Sequence, residues 1–480
     1  GMGNLDVWSK ESLGGTFMEM LTEIGKEYGE DSAVYTFGSE KALKVFQRML
    51  RSDYIDIYTE HLLQSTSVDE NKNGFSKLTA VNIVNLKNSK KYSFRGEVFI
   101  DATYEGDLLA MAGAGYRIGS EGKDVFNEPG APEESNGHVM GYNFRVLVTK
   151  DSENRIPFDK PIYYDPDEYF PKLIEAAEKG EITKLQNQLI QILPAGPDKF
   201  NLNDYKSSKY EGFNVYNESD HWPEATSGKR KEIYDLAKFK AKSFFYFLAN
   251  DSRLPQHVRD EMAEYGYPKD EFIENDHFPP WLYVREGRRL KGVMTVTELE
   301  FLEQDGSARS KAFKDAVATG HYPMNSHGTY IDEDGNELGN FLVRIPPFEV
   351  PYGVMIPKKI DGLIVPVSIS ASQLAFGAVR MEPTWTALGQ VAGLAAVQAI
   401  KNDQELRNIN VGQLQKNLHD KEALTFYSKD IPPLSPYFMA VQYFGNRGLF
   451  HSLKNNRPEL SKERLPHHFI LPEEPITGSL

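Results

Sequence analysis

The spacing of apolar residues predicts several amphipathic helices. In residues 16–28 and 39–51, apolar side chains recur every three or four positions, so each segment carries one apolar stripe. The two stripes consist of Phe17, Met20, Leu21 and Ile24, and of Leu43, Phe46, Met49 and Leu50. The same spacing predicts helices at residues 169–180, 182–193, 229–249 and 411–419. In the segment 229–249 we expect an aromatic stripe to be part of the core: Tyr234, Phe244, Phe245 and Phe247.

Short runs of apolar, β-branched and aromatic residues predict strands between these helices. The runs occupy residues 55–58, 78–86, 92–100, 141–149, 281–284, 341–345, 352–356 and 363–365. Polar residues and glycine predict a hairpin turn at Asn73–Gly74 and a second turn at residues 332–335. Neither turn has the complete ligand spacing of a calcium loop, so we assign no metal.

The most informative segment is residues 363–400. An apolar strand leads through small residues to Arg380 and Pro383, where a helix rich in glycine and alanine begins. Proline suits the first turn of a helix, and the free N–H groups of that turn can bind an anion. Gly389 and Gly393 lie one turn apart on one face, which would allow a backbone or a flat ligand to approach.

A second segment combines a strand with acidic and small residues. Asp101 follows the apolar run 98–100, and Glu105 and Asp107 follow within one turn. Ligands collect at the carboxyl ends of strands in open α/β sheets, so the segment is well placed for a cofactor. A simple strand-to-helix turn explains the same residues, and the pattern alone leaves both interpretations open.

The composition excludes several classes of protein. The 480 residues carry a net charge of −15, which disfavours nucleic acid and anionic membrane surfaces as partners. The chain contains no cysteine, which excludes disulfides, thiolate catalysis and cysteine-ligated metals. His467 and His468 are adjacent but lack a spaced third ligand, so no metal role follows. The sequence indicates neither an oligomeric state nor a compartment.

The motifs resemble those of the FAD-dependent oxidoreductase family, whose bacterial members are often labelled xanthan-lyase-like. The resemblance covers most of residues 13–400. It rests on the segment 363–400, FIDATYEGDLLAMAGAGYRIG (99–119), PAGPDKFNLND (194–204), the segment 222–255, YVREGRRLKG (283–292) and GHYPMNSH (320–327). It implies an α/β fold in which a Rossmann-type FAD/NAD(P)-binding domain, formed by residues 1–118 and 345–402, carries an inserted mixed α+β substrate domain at residues 119–344. Residues 403–480 would form a C-terminal extension.

The resemblance also implies which residues contact the flavin. They are Ala102, Thr103, Glu105, Gly106, Asp107, Ser370, Ala371, Ser372, Gly377, Arg380 and Met381. A helix start and an arginine near the flavin would stabilise the negative charge of its reduced form. An ordinary surface ion pair is the alternative role for Arg380. Relatives often have histidine after Ser372, whereas Gln373 stands here and cannot shuttle a proton.

The dinucleotide-binding fingerprint of the family is missing from this sequence. Family members open with a strand, a G-x-G-x-x-G turn and a helix. Residues 113–119 have a different glycine spacing and follow an alanine-rich helical stretch. We therefore expect an incomplete FAD-binding domain, a chain that is the larger part of a flavoprotein, and weak or no FAD binding.

Two further segments of the resemblance suggest a substrate site. Arg285, Arg288 and Arg289 lie close together in the sequence, next to Tyr283, and arginine pairs with carboxylates through two parallel hydrogen bonds. We expect catalytic roles for Arg285, Arg289, Tyr322, Asn325 and His327, the histidine taking a proton. The alternative is that the arginines brace acidic loops and that His327 satisfies a turn.

Three functions remain open at the level of sequence. The first is an FAD-dependent oxidoreductase acting on a small or carbohydrate-derived substrate. The second is a polysaccharide lyase of the xanthan type, because the candidate catalytic residues include those that neutralise a uronate and remove its proton. The third is a non-catalytic remnant of the flavoprotein fold. Whether the chain is an enzyme is therefore open.

Overall fold

The computed structural model describes residues 7–70, 74–205, 209–304, 308–451, 453 and 468–473. The fold is a mixed α/β arrangement with several small sheets. The α/β class expected from the sequence is therefore confirmed. The incomplete Rossmann domain, the inserted substrate domain and the domain boundaries stay predictions.

Helices form where an apolar stripe coincides with a favourable start. For example, the longest one begins after Thr226, whose hydroxyl accepts a hydrogen bond from the Lys229 N–H, and buries Phe244, Phe245 and Phe247. The described α-helices are α1 Gly15–Glu27, α2 Ser39–Met49, α3 Asp107–Met111, α4 Lys123–Phe126, α5 Pro166–Tyr169, α6 Pro171–Glu178, α7 Glu218–His221, α8 Ser227–Asn250, α9 Gln256–Ala263, α10 Glu298–Phe301, α11 Gln373–Val379, α12 Glu382–Lys401, α13 Val411–His419 and α14 Phe438–Gly445.

The strands are short, and most pair antiparallel. They are β1 His61–Glu70, β2 Ser76–Asn85, β3 Lys91–Arg95, β4 Phe99–Ile100, β5 Tyr116–Arg117, β6 Val146–Thr149, β7 Arg155–Ile156, β8 Ile190–Pro194, β9 Lys199–Asp204, β10 Tyr267–Pro268, β11 Arg289–Leu290, β12 Ala316–Gly320, β13 Met324–Ile331, β14 Glu337–Val343, β15 Phe348–Pro351, β16 Ile360–Asp361 and β17 Leu363–Ile364.

Two parallel pairings join distant parts of the chain. Strand β2 lies between β1 and β16 and also pairs with β3, and its contact with β16 is parallel. Strand β17 runs parallel to β4, with Leu363 opposite Phe99. The antiparallel groups are β6–β9–β8, β12–β15, β13–β14, β5–β11 and β7–β10.

The described residues form two large apolar clusters. One is built around β12, β15, α11 and α12, and includes Phe348, Phe376 and Leu388. The other packs α8 against β6 and β9, and includes Phe144 and Phe244. The segment 281–296 runs between these clusters, with Val284 in the second and Val296 in the first.

Several sequence predictions of helices and turns are confirmed. α1 buries its predicted stripe, and α6, α8 and α13 lie within or close to their predicted ranges. Three aromatic side chains of the α8 stripe are buried, and Tyr234 is half-buried. The segment 332–335 connects the hairpin β13–β14. β1 and β2 form a hairpin, although Asn73 lies outside the described residues.

Other predictions were wrong. The predicted helix at residues 182–193 is absent from this described segment, whose end forms β8 instead. Residues 55–58 and 281–284 do not form strands, and residues 352–355 form a 3₁₀-helix. The predicted stripe of α2 is also wrong, because Leu43 is 55% exposed and the buried face consists of Ala42 and Val45. Short apolar runs do not distinguish these alternatives by periodicity.

Candidate functional site

The parallel pair β4–β17 brings the two most informative sequence segments together. The Phe99 N–H donates to the Gly362 carbonyl over 2.8 Å, and the Asp101 N–H donates to the Ile364 carbonyl over 3.0 Å. Because the strands are parallel, the residues after both strands emerge at the same edge. The small and acidic residues of the segment 101–107 therefore lie beside the small residues of the segment 365–372.

The segment after β4 is a turn held by its own side chains. Asp101 accepts hydrogen bonds from the Thr103 N–H and hydroxyl and from the Leu109 N–H, the last over 2.7 Å. The Thr103 hydroxyl accepts one from the Gly106 N–H, and Gly106 adopts a left-handed conformation with φ 68°. Burial raises the pKa of Asp101. These hydrogen bonds fix the conformation of the turn, in which Ala102 and Thr103 are exposed.

The two carboxylates at the end of this turn bind residues of the middle section. Glu105 accepts a hydrogen bond of 2.9 Å from the Trp222 indole N–H. Asp107 accepts a pair of hydrogen bonds from Arg230, at 2.6 and 2.8 Å, and a further one from Arg288. Burial raises the pKa of Asp107, but the two arginines outweigh it and hold the pKa below its usual value. This geometry favours a bracing role for both carboxylates, as the strand-to-helix interpretation expects.

The polar side chains after β17 are also engaged within the protein. Ser370 shares a hydrogen bond of 2.8 Å with Thr295. The Ser372 hydroxyl caps α11 by accepting from the Ala375 N–H, and it donates to the buried carboxylate of Glu128. Ser370, Ala371 and Ser372 have no exposed surface. Flavin contact by these residues stays a prediction.

Arg289 and Gln373 belong to a buried network of carboxylates. Arg289 contacts both oxygens of Glu121 at 2.9 and 3.0 Å, lies 2.9 Å from Glu286 and donates to the Ala371 carbonyl. The Gln373 amide donates to Glu286, whose pKa burial raises to about 7. Because Arg289 is fully buried among these partners, the geometry favours a structural role over the catalytic one expected from the sequence.

A different set of side chains surrounds Tyr283. The Arg380 guanidinium lies 3.5 Å from the Tyr283 hydroxyl and donates to the Asn325 carbonyl over 3.2 Å. The Asn325 amide donates to the Tyr322 hydroxyl, and Arg285 lies over the Tyr283 ring at 5.3 Å from its centroid. A side-chain carbon on Gly377 would meet the Asn325 N atom at 2.9 Å. The structure thus brings together four residues expected separately: Arg285, Tyr322, Asn325 and Arg380.

His327 occupies a less central position than the sequence suggested. It lies two residues beyond Asn325 in β13, opposite Asn340 of β14, and is half-buried. Its carbonyl accepts a hydrogen bond of 2.8 Å from the Tyr216 hydroxyl. A catalytic role for His327 stays a prediction.

Sequence analysis did not single out His321, which lines a cavity at the start of α12. Its Nδ1 lies 2.7 Å from the Ser9 hydroxyl, and Trp8 packs edge-on against its ring. Burial lowers the pKa of His321 to about 4, so the ring is neutral at pH 7. Met381 and Pro383 also line this cavity. No spacing rule could have paired residues 312 positions apart.

The described residues contain neither a cluster of metal ligands nor a helix that could cross a membrane. Within the described ranges, no group of three or more histidine or acidic side chains is arranged to hold a metal ion. Among the helices of the described part of the chain, none combines the length and the apolar character needed to cross a membrane. His468 is 3% exposed and its Nε2 atom lies 2.7 Å from the Ala308 carbonyl oxygen, whereas His467 lies outside the described residues.

Comparison with known proteins identifies the family. The family model described as FAD dependent oxidoreductase matches residues 2–418. The chain belongs to the FAD-dependent oxidoreductase family. Neither the curated proteins nor the solved structures contain a match. The resemblance seen in the sequence motifs is thereby confirmed, and membership implies FAD as the cofactor.

Some features of this FAD-dependent oxidoreductase family member fit the cofactor well. The exposed main chain of Ala102 and Thr103 lies at the carboxyl end of β4, where dinucleotides bind in such sheets. The Nε atom of Arg380 is buried and has no hydrogen-bond partner within the described part of the chain. α12 begins two residues after Arg380 and has Pro383 in its first turn, so its positive end lies in the same region. Flavin contact by these residues stays a prediction.

The face of α12 that carries two glycines is open. A side-chain carbon added to Gly389 or Gly393 would meet nothing within 4 Å. The close approach of another part of the chain, which the sequence suggested as one explanation for these glycines, is therefore not present among the described residues. A ligand remains the other explanation.

Proposed function

We propose that the protein is an oxidoreductase that uses FAD to oxidise a small or carbohydrate-derived substrate. The observation that carries the proposal is the parallel pairing of β4 and β17 in a chain that belongs to the FAD-dependent oxidoreductase family. When bound, FAD supplies the acceptor for a hydride. The side chains must then bind the substrate, orient it and stabilise the charge that develops during the reaction.

The residues around Tyr283 can meet these requirements. Arg380 and the start of α12 provide positive potential, which would stabilise negative charge that develops on the cofactor. Tyr322 and Asn325 are joined by a hydrogen bond of 3.2 Å, so their relative orientation is fixed. Their hydroxyl and amide groups suit a substrate alcohol, which would be held in one orientation.

We further propose that this chain binds FAD weakly. No G-x-G-x-x-G sequence occurs in its 480 residues, so the pyrophosphate lacks the N–H groups that this turn supplies. The contacts at Ala102, Thr103 and Arg380 would leave the isoalloxazine and ribitol side as the principal binding region. FMN is therefore expected to bind nearly as well as FAD.

Equilibrium dialysis tests both proposals. The purified chain is dialysed against FAD and, separately, FMN, and the Arg380→Gln variant is compared with the wild type and with the exposed control Arg51→Gln. We expect saturable flavin binding by the wild type and R51Q, with weaker binding by R380Q. Flavin that distributes equally on both sides for wild type and R380Q would overturn the cofactor assignment. FAD that binds far more tightly than FMN would overturn the proposal of a missing pyrophosphate anchor.

A further inference from the structure

Two buried guanidinium groups, Arg285 and Arg380, lie close to Tyr283, and a third, Arg145, lies over the same ring and donates to Asn201. Arg285 is 1% exposed and Arg380 is 2% exposed. Both reach the same tyrosine, Arg380 through its hydroxyl at 3.5 Å and Arg285 over its ring at 5.3 Å. Sequence analysis grouped Arg285 with Arg289, whereas the fold places it with Arg380.

The hydrogen-bond partners of these two arginines are neutral. Arg285 donates to the Gly141 carbonyl and to the Asn214 side chain, and Arg380 donates to the Asn325 carbonyl. Among the described residues, neither forms an ion pair with a carboxylate. Arg289 is the contrast, because it is equally buried but lies against two glutamates.

Each of the two arginines also has an unused donor. Arg285 Nη2 and Arg380 Nε are buried and have no hydrogen-bond partner among the described residues. Burial and the charge of Arg380 lower the pKa of Arg285 to about 10. Asp204 acts on Arg285 from farther away, and its carboxylate accepts a hydrogen bond from the Asn214 N–H.

Two buried guanidinium groups without a counter-ion destabilise the fold unless an anion neutralises them. A buried charge without a counter-ion is destabilising by several kcal/mol. Asp204 and Glu337 act on Arg285 only from beyond ion-pair distance, and among the described acidic residues none forms an ion pair with Arg285 or Arg380, whereas two do so with Arg289. Tyr283 and Tyr322 are half-buried, so the cluster is not sealed from solvent. A ligand anion is the counter-ion that fits these observations.

We propose that Arg285 and Arg380 form an anion site that receives the carboxylate of the substrate, so that the substrate is a small hydroxy acid or sugar acid. The inference rests on the proposed function for its reaction, but the site itself does not require FAD. The unused donor of each guanidinium group could bind one oxygen of a carboxylate, so that the two arginines together hold both oxygens. With the carboxylate held there, Tyr322 and Asn325 stand beside the part of the substrate that carries the hydroxyl.

Calorimetric titration without added flavin tests the site. D-glucuronate is compared with D-glucose, which differs in the charged group, and with inorganic phosphate. We expect glucuronate to bind wild type and R51Q, glucose to give no binding heat, and R285Q and R380Q to bind glucuronate roughly tenfold more weakly or worse. Equal binding of glucose and glucuronate would overturn the site, as would full binding by R285Q. Binding of phosphate alone would overturn the carboxylate assignment.

Thermal unfolding provides a second measurement that does not depend on the binding assay. If the pair lacks a counter-ion, R285Q should unfold at the same temperature as the wild type or higher without ligand, because it removes an uncompensated charge. Glucuronate should raise the unfolding temperature of the wild type and leave that of R285Q unchanged. A large drop for ligand-free R285Q would show that the charge is already neutralised and would overturn the inference.

The two proposals fail separately. Flavin binding together with no glucuronate binding would overturn the anion site and leave the flavin assignment intact. Glucuronate binding that R285Q abolishes, together with no flavin binding, would overturn the cofactor assignment and leave the anion site intact.

Discussion

Replacing Arg289 by methionine should destabilise the protein strongly. The side chain is fully buried, lies 2.9 Å from Glu286 and contacts Glu121 at 2.9 and 3.0 Å. Removing it leaves two carboxylates in a low-dielectric environment without their shared cation. Breaking a buried ion pair in this way costs about 3–5 kcal/mol, whereas the exposed control R51M should stay within about 0.5 kcal/mol of the wild type.

Denaturant unfolding followed by circular dichroism measures this difference. The loss for R289M should be smaller at pH 5 than at pH 8, because the abandoned carboxylates can take up protons at the lower pH. Raising the salt concentration should change the loss little, since the pair is shielded from solvent. An R289M variant as stable as R51M, or a loss that does not depend on pH, would refute the reasoning that Arg289 acts through these carboxylates.

Three further outcomes follow from other contacts. Burial raises the pKa of Glu286 from 4.5 to about 7, so the protonated carboxyl stabilises the fold below pH 4.5 and this stabilisation is lost as pH rises through 7. The free energy of unfolding of E286Q should therefore change less between pH 5 and 8 than that of the wild type. Burial raises the pKa of Asp107, but Arg230 and Arg288 hold it below 3.8, so D107N should cost about 1–2 kcal/mol at pH 7 and progressively less as the pH falls through that lowered pKa. G377A should cost about 1–3 kcal/mol by overpacking, while G389A should add up to about 1 kcal/mol.

The same unfolding experiments supply the contradicting results. An E286Q curve with the pH dependence of the wild type would mean that Glu286 titrates normally. A D107N penalty that does not decrease at all as the pH falls below 3.8 would point to packing instead of charge. Equal effects of the two glycine substitutions would show that the close contact of Gly377 with the Asn325 main chain is not maintained in solution.

Long amphipathic segments were predictable from the sequence, and short ones were not. α8 and α13 follow their apolar spacing over two turns or more, which is enough to define a helical period. Residues 182–193 show similar spacing, but the end of this segment pairs with β9 as β8, because cross-strand hydrogen bonds decide the outcome there. The open face of α2 was misassigned because small residues, Ala42 and Val45, form its buried contact.

The site was predictable as a set of motifs but not as a geometry. Motif order identified the segments that carry Arg285, Tyr322 and Arg380, and the fold brings these side chains around Tyr283. The sequence could not show that Arg285 and Arg289 have different partners. The chain between them is irregular, so their side chains point to different parts of the fold. The difference arises because Glu286 lies beside Arg289, a position that only the tertiary structure determines.

The parallel pair β4–β17 also has a consequence for the synthesis of the protein. Its two strands lie about 260 residues apart in the chain, so β4 leaves the ribosome long before its partner exists. At about 5–20 residues per second, the delay is roughly 13–50 s. Ile100 of β4 is 41% exposed even in the finished fold, and during the delay the strand has no partner at all on the β17 side. Nascent chains of this protein should therefore depend on chaperones, and slower growth at low temperature should improve the soluble yield.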